Sequence, residues 1–170
     1  PPVGAAGERP TARITQKALK AALESTVFAA AGDEARPILT GVLTKFTGEK
    51  ATFAAADNYR IAVAGAPLAE AAPETSLIVP ARSYAELLRL LSDVEDLVEI
   101  TFTPTKNQLQ FKLGDTMLVS RLIEGQFPNF QQVVPTSHTT KVTLDRDSFL
   151  SAVKLAQVVA DASAHIVRFA

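Results

Sequence analysis

Few residues in this chain are of a type that does covalent chemistry, and their spacing works against it. There are two histidines, His138 and His165, and no cysteine, so thiolate catalysis, disulfides and cysteine-based zinc sites are excluded together. Neither histidine has a second histidine at metal-ligand spacing. Asp93, Glu95 and Asp96 cluster, but an acidic loop of this composition reads as solvated surface. Asp57 opens a turn-forming stretch, Asp57-Asn58-Tyr59, in which a carboxylate ordinarily bonds its own backbone. Gly4, Gly7 and the later glycines form no phosphate-cradling loop, and no serine or threonine has a recognisable base partner. Catalysis, a resident metal and a cofactor are not expected. Recognition remains. Arg82 and Arg89 lie seven residues apart on a helix-forming stretch and share a stripe, with Glu86 between them. From the residues alone that stripe is a solvated helix face with a Glu86–Arg89 pair.

These groups need elements to place them. Pro1 to Pro10 is rich in Pro and Gly without periodicity and reads as a linker. A helix begins near Ile14, with Thr15 a candidate N-cap and Ala18, Leu19, Ala22, Leu23, Thr26 and Val27 on one side. Strand-like alternation follows over 38–46, 51–56 and 59–63, with Gly48-Glu49-Lys50 as a turn. Leu77-Ile78-Val79 is a short buried-type strand ending at Pro80, and a second helix over 82–91 has Tyr84, Leu87, Leu88 and Leu91 on its core face. Val98–Phe102, Leu109–Leu113 and 117–122 form an antiparallel meander with turns at Lys106-Asn107 and Gly114-Asp115. Gly125 then breaks the chain and Phe127-Pro128 holds it extended, because the proline ring fixes its own φ and restricts the residue before it. After Pro135 the pattern restarts. Lys141–Leu144 reads as a strand, Asp145 or Asp147 as a helix cap, Leu150, Val153, Val158 and Val159 as the helix lining, and Ile166–Phe169 as a further strand. The expected fold class is α+β with antiparallel sheets.

The balance of charges gives a formal net charge of −1, with none of the basic excess that a groove-binding nucleic-acid protein carries. At 47% hydrophobic residues the chain can bury a sizeable core, yet no apolar run is long enough to span a bilayer and no charged-then-apolar leader opens it. A cytoplasmic location is expected.

Four segments together carry a family resemblance. Ala55-Ala56-Asp57-Asn58-Tyr59-Arg60-Ile61-Ala62 is similar to an Ala-Thr-Asp-Gly-(aromatic or His)-Arg-Leu-Ala segment of bacterial sliding clamps, the β subunit of DNA polymerase III. Leu77–Ser83 resembles their strand-to-helix junction, Leu113-Gly114-Asp115 their last hairpin turn, and Ser120–Phe130 the end of their middle domain. Order and spacing agree from roughly Thr11 to Pro135.

The resemblance implies a DNA-clamp domain with two helices per domain. Residues 1–10 would be an interdomain linker, 11–137 the central clamp domain, and 138–170 the opening of a third domain, cut short. It implies a peptide-binding wall of Leu39, Ala56, Asn58, Tyr59, Arg60, Ile61, Pro128, Gln132 and Val133. Leu39, Ile61, Pro128 and Val133 would supply the apolar floor, and Tyr59 and Arg60 the polar tips. Three positions depart from the family: Ala56 stands where Thr is common, Asn58 where Gly is usual, and Gln132 where a basic residue is frequent. Arg36, Arg82 and Arg89 would face encircled duplex DNA loosely, since tight phosphate contacts oppose sliding. The implied partners are duplex DNA, the catalytic subunit of DNA polymerase III, the clamp loader and other proteins bearing a clamp-binding motif. The full-length protein would be a homodimeric ring. A stand-alone interaction module of the same fold with no DNA role is the alternative, and a small-molecule-binding α+β domain a third.

Overall fold

The computed structural model describes residues 10–32, 36–103, 107–132, 134–135, 137–160 and 166–167. The chain divides into two compact units, Pro1–Phe130 and Gln131–Ala170. The linker expected at Pro1–Pro10 falls almost wholly outside the described residues.

In the first unit, β1 (Ala12–Thr15) turns Ala12 and Ile14 inward and leads directly into α1 (Gln16–Glu24). The helix therefore starts two residues later than the apolar pattern from Ile14 suggests, because Ile14 is committed to strand pairing with Val98. Thr15 is the N-cap, its Oγ1 accepting from the Ala18 N–H at 3.2 Å. Leu19, Ala22 and Leu23, at helical spacing, are the buried face. Ser25 and Thr26 donate their hydroxyls back to the Ala21 and Ala22 carbonyls at 2.8 and 2.9 Å where the helix ends. Thr15→Ala removes the acceptor for an otherwise unpaired N–H, and the expected loss is about 1 kcal/mol of unfolding free energy. A urea titration reads it, and an unchanged midpoint would contradict the cap.

Two short 3₁₀ turns, Val27–Ala29 and Pro37–Thr40, lead into a long antiparallel pair, β2 (Gly41–Ala56) and β3 (Ile61–Pro80). Four sequence expectations change here. Ile38 to Thr40 belong to the 3₁₀ turn, whose first position is the φ-locked Pro37, so the strand starts at Gly41. Tyr59 lies in the connecting turn rather than in a strand. Gly48-Glu49-Lys50 is an irregularity within β2 and not a reversal: Gly48 opposes Ala72 and Lys50 opposes Pro67, with the register shifting on either side. Gly48 has φ 56°, which a bulge needs as much as a turn does. Pro67 is accommodated beside that irregularity, where a missing donor costs little. Leu77-Ile78-Val79 is thus the end of a 20-residue strand rather than a short separate one.

α2 (Ala81–Leu90) follows Pro80 and buries Tyr84 and Leu87, with Leu91 buried just beyond it. β4 (Leu97–Phe102), β5 (Gln108–Leu113) and β6 (Thr116–Arg121) form the expected meander, and β1 joins its edge to give the order β1-β4-β5-β6. Asn107 lies in the β4–β5 connection, and Lys106 is outside the described residues. The main core gathers Phe46, Phe53, Tyr84 and Phe111 with Leu19, Leu23, Ile100 and Leu109. Tyr84 meets Phe53 edge-on at 6.1 Å and Phe111 at 5.8 Å, and its hydroxyl lies 2.6 Å from Thr44 Oγ1. Burial pushes its phenol far above the usual range, so it stays protonated.

In the second unit, α3 (Arg146–Ala160) is capped by Asp145, whose Oδ1 accepts from the Ser148 N–H at 2.9 Å; Asp147 instead pairs with Arg146. These bonds from Ser148 hold the Asp145 carboxyl below the usual range. Lys141–Leu144 alternates like a strand but is not one, because among the described residues no strand lies alongside to take its backbone groups. Ile166 and Val167 are likewise not in a strand, and Arg168 and Phe169 lie outside the described residues. Val158 and Val159, expected to line the helix against a core, are exposed. No helix among the described residues is long and apolar enough to cross a membrane.

Candidate functional site

Four residues from four parts of the first unit close a second, smaller apolar cluster: Leu39, Ala56, Ile78 and Phe127, with Ile38, Leu43, Ile123 and Phe130 packed around it. Each arrives for a local reason. Leu39 is turned inward by the 37–40 turn, which the Ala31 N–H ties down by donating to the Leu39 carbonyl at 2.9 Å. Ala56 ends β2 and Ile78 lies near the end of β3. Phe127 is carried in by the segment after β6, where the Ile123 N–H donates to the Ile78 carbonyl at 2.9 Å. Gly125 makes the bend there at φ 134°. Pro128, beside buried Phe127, is exposed.

Directly beyond Ala56 the chain reverses through Asp57–Arg60. Asp57 Oδ1 accepts from the Tyr59 N–H at 2.7 Å and the Arg60 N–H at 2.9 Å, while Oδ2 accepts from Arg60 Nε at 3.0 Å. The Asp57 N–H donates to the Arg60 carbonyl at 3.0 Å. The bond from the Tyr59 N–H is the largest of the effects that hold the Asp57 carboxyl below the usual range, so it is charged at neutral pH. This saturated turn displays its next residues: Asn58 and Arg60 are exposed, and Tyr59 is 95% exposed. Ile61, opposite Ala56 in the ladder, is partly exposed.

Of the nine residues expected in a peptide wall, the structure gathers seven in this unit. Leu39 and Ala56 lie in the small cluster itself, Asn58, Tyr59, Arg60 and Ile61 follow Ala56 directly, and Pro128 follows Phe127. Gln132 is an exposed residue of the second unit, and Val133 is outside the described residues. The residue types suit an extended peptide, with apolar edges for its side chains and a donor-rich tip for its oxygens. Sequence reasoning missed Phe28, whose ring lies under the Arg60 guanidinium with 5.4 Å from centroid to Cζ. Its only sequence signal is an aromatic at an outward position of a short turn.

The basic residues are more scattered. Arg82 and Arg89 are exposed on α2, and Arg89 Nη1 pairs with Glu86 at 3.3 Å. Arg36 is exposed ahead of the 37–40 turn. The acidic loop is not simply solvated: Asp93 and Glu95 pair with Lys20 and Lys17 of α1 at 3.1 and 3.3 Å. His138 is exposed, and His165, Gly4 and Gly7 are outside the described residues. A shallow groove of about 340 Å³ between α1 and β3, lined by Ala18, Ala21, Gly65 and Pro67 among others, includes none of the candidate wall residues.

A family model described as the central domain of the DNA polymerase III beta subunit matches residues 13–129. The chain belongs to that family. The beta sliding clamp of Synechococcus elongatus is 34% identical over 158 residues, which cover 92% of this chain and 42% of that protein. The beta sliding clamp of Staphylococcus aureus is 32% identical over 148 residues, covering 87% and 39%. Among solved structures, the DNA polymerase sliding clamp from Bacillus subtilis has a TM-score of 0.88 at 30% identity, covering 94% of this chain and 42% of that one. The beta subunit from the DNA polymerase of Streptococcus pyogenes gives 0.87 at 26% identity, covering 96% and 44%. This member of the clamp family thus spans less than half the length of the relatives it matches. Its α+β fold with antiparallel sheets is that of the sliding clamps, and the matched stretch includes both the Asp57–Arg60 turn and Phe127-Pro128.

Proposed function

We propose that the chain is part of a DNA sliding clamp, a non-catalytic processivity factor that encircles duplex DNA in the cytoplasm and tethers the replicative polymerase. Residues 11–137 serve as its central domain and 138–170 open the third. The tether is a peptide site to which the first unit contributes Leu39, Ala56, Asn58, Tyr59, Arg60, Ile61 and Pro128. Its partners are the catalytic subunit of DNA polymerase III, the clamp loader and other proteins carrying a short clamp-binding motif. Arg36, Arg82 and Arg89 face the DNA without gripping it, and the ring is a homodimer of full-length chains. One observation carries this reading: in a chain of this family, the Asp57–Arg60 turn holds an exposed Tyr59 and Arg60 directly beyond Ala56 of a small apolar cluster.

A labelled peptide of the Gln-x-x-Leu-x-Phe type, with Ala at each x, tests it by fluorescence anisotropy. Saturable binding is expected, weak for this chain and tighter for one extended through a complete third domain. Arg60→Ala with Pro128→Ala should weaken it by about tenfold or more, as truncation of anchoring residues does. Both side chains are exposed, so the fold should survive, and circular dichroism checks that. No binding by the extended chain, or equal binding by the double variant, would overturn the peptide site.

A further inference from the structure

Phe28 is out of place by the rules of burial. It is 59% exposed and belongs to neither apolar cluster, whereas Val27 packs against the main core and Ala29 is fully buried. A three-residue 3₁₀ turn sends successive side chains about a third of a turn apart, so two inward neighbours leave the middle one outward. What the ring meets there is a cation. The Arg60 guanidinium carbon stands 5.4 Å from the ring centroid, within the range over which an aromatic face attracts a positive charge.

Arg60 is consequently held from two sides by unlike forces. Asp57 Oδ2 takes its Nε at 3.0 Å and fixes one edge of the guanidinium, and the Phe28 ring constrains its plane. Asp57 is itself immobilised, because its other oxygen accepts two backbone N–H groups of the turn. Among the described residues no second carboxylate pairs with this guanidinium, so its forked Nη end is uncommitted to an acid. We propose that Phe28 is a positioning residue of the peptide site: with Asp57 it presets Arg60 as a fork for an oxygen of the bound peptide, a side-chain carboxylate or a main-chain carbonyl. A guanidinium suits that geometry, and holding it beforehand spares the rotamer freedom a loose arginine would lose on binding. The role rests on the peptide-site reading above.

The test joins a titration to a spectroscopic signature. In the chain extended through a complete third domain, Phe28→Leu should weaken the same labelled peptide by about two- to fivefold, the scale of an exposed cation–π contact. Phe28→Tyr, which keeps the aromatic face, should bind like the parent. Phe28→Leu added to Arg60→Ala should cost nothing further, since the ring acts through that arginine. Parent-like affinity for Phe28→Leu, or an undiminished loss in the Arg60→Ala background, would overturn the role. The chain has no tryptophan, so Phe28→Trp introduces a single indole. Its emission in this chain should change when Arg60→Ala is added; identical spectra would equally overturn the proposal. A parent that binds no peptide would remove the peptide site and this role together, whereas a binding parent indifferent to Phe28→Leu removes the role alone.

Discussion

Tyr84→Ala is expected to lower the unfolding free energy by about 3–5 kcal/mol, the range for emptying a large aromatic site in a packed core. Tyr84 is 1% exposed, lies against Phe53 and Phe111, and seats α2 on the sheets. The hydroxyl and the ring separate in a second pair of variants. Tyr84→Phe keeps the ring but strands the buried Thr44 hydroxyl, at about 1–3 kcal/mol. Thr44→Val added to Tyr84→Phe removes both polar partners and should recover most of that loss. Urea midpoints at constant slope read all three. A Tyr84→Ala loss below about 1 kcal/mol would mean the core does not rest on this residue. Because α2 bears Arg82 and Arg89, the same variant loosens the surface proposed to face DNA.

Gly125→Ala is expected to be a damaging single-methyl change near the peptide site. Gly125 has φ 134°, a backbone region that favours glycine, and an added Cβ would stand 2.8 Å from Ile38 Cδ1 and 3.2 Å from Cγ1. The backbone strain alone is on the order of 1–3 kcal/mol. The steric push lands on Ile38, next to Leu39 in the cluster that Phe127 completes, so peptide affinity should fall along with stability. Gly114→Ala is the control: it also has positive φ, 55°, but nothing lies within 4 Å of its added Cβ. It should cost about 1 kcal/mol from backbone alone and leave peptide binding intact. Equal losses for the two variants, with equal binding, would show that the Ile38 contact is unimportant.

What could be read in advance follows from which forces are local. The β4–β5–β6 meander was legible because its residues alternate and its turns carry Asn107 and Gly114. α2 was legible because Tyr84, Leu87, Leu88 and Leu91 repeat at helical spacing. Most of β3 was not. Apart from Leu68, Ala64 to Glu74 is made of Ala, Gly, Pro and Glu, residues poor in intrinsic strand preference, and the partner β2 makes it extended. Gly48 was ambiguous for a related reason: positive φ serves a turn and a bulge alike, and only the residues opposite decide. Lys141–Leu144 erred the other way, with a strand's pattern and no strand beside it among the described residues. The candidate wall came from the family resemblance, since Leu39 and Ala56 are chemically ordinary core residues. Phe28 carries only the faint signal of an aromatic at an outward position, because its meaning comes from an arginine on a distant turn.

The placing of β1 beside β4 has a kinetic side. Ala12 and Ile100 are roughly ninety positions apart, whereas Phe102 meets Leu109 across about seven; ring closure over the longer span costs about 2 kcal/mol more in chain entropy. The β4–β5–β6 ribbon can therefore zip early from its own tight reversals, and β1 docks only once everything between is in place. The N-terminal strand is the clasp of the first unit: the last piece to fasten when it assembles, and the first through which it comes undone.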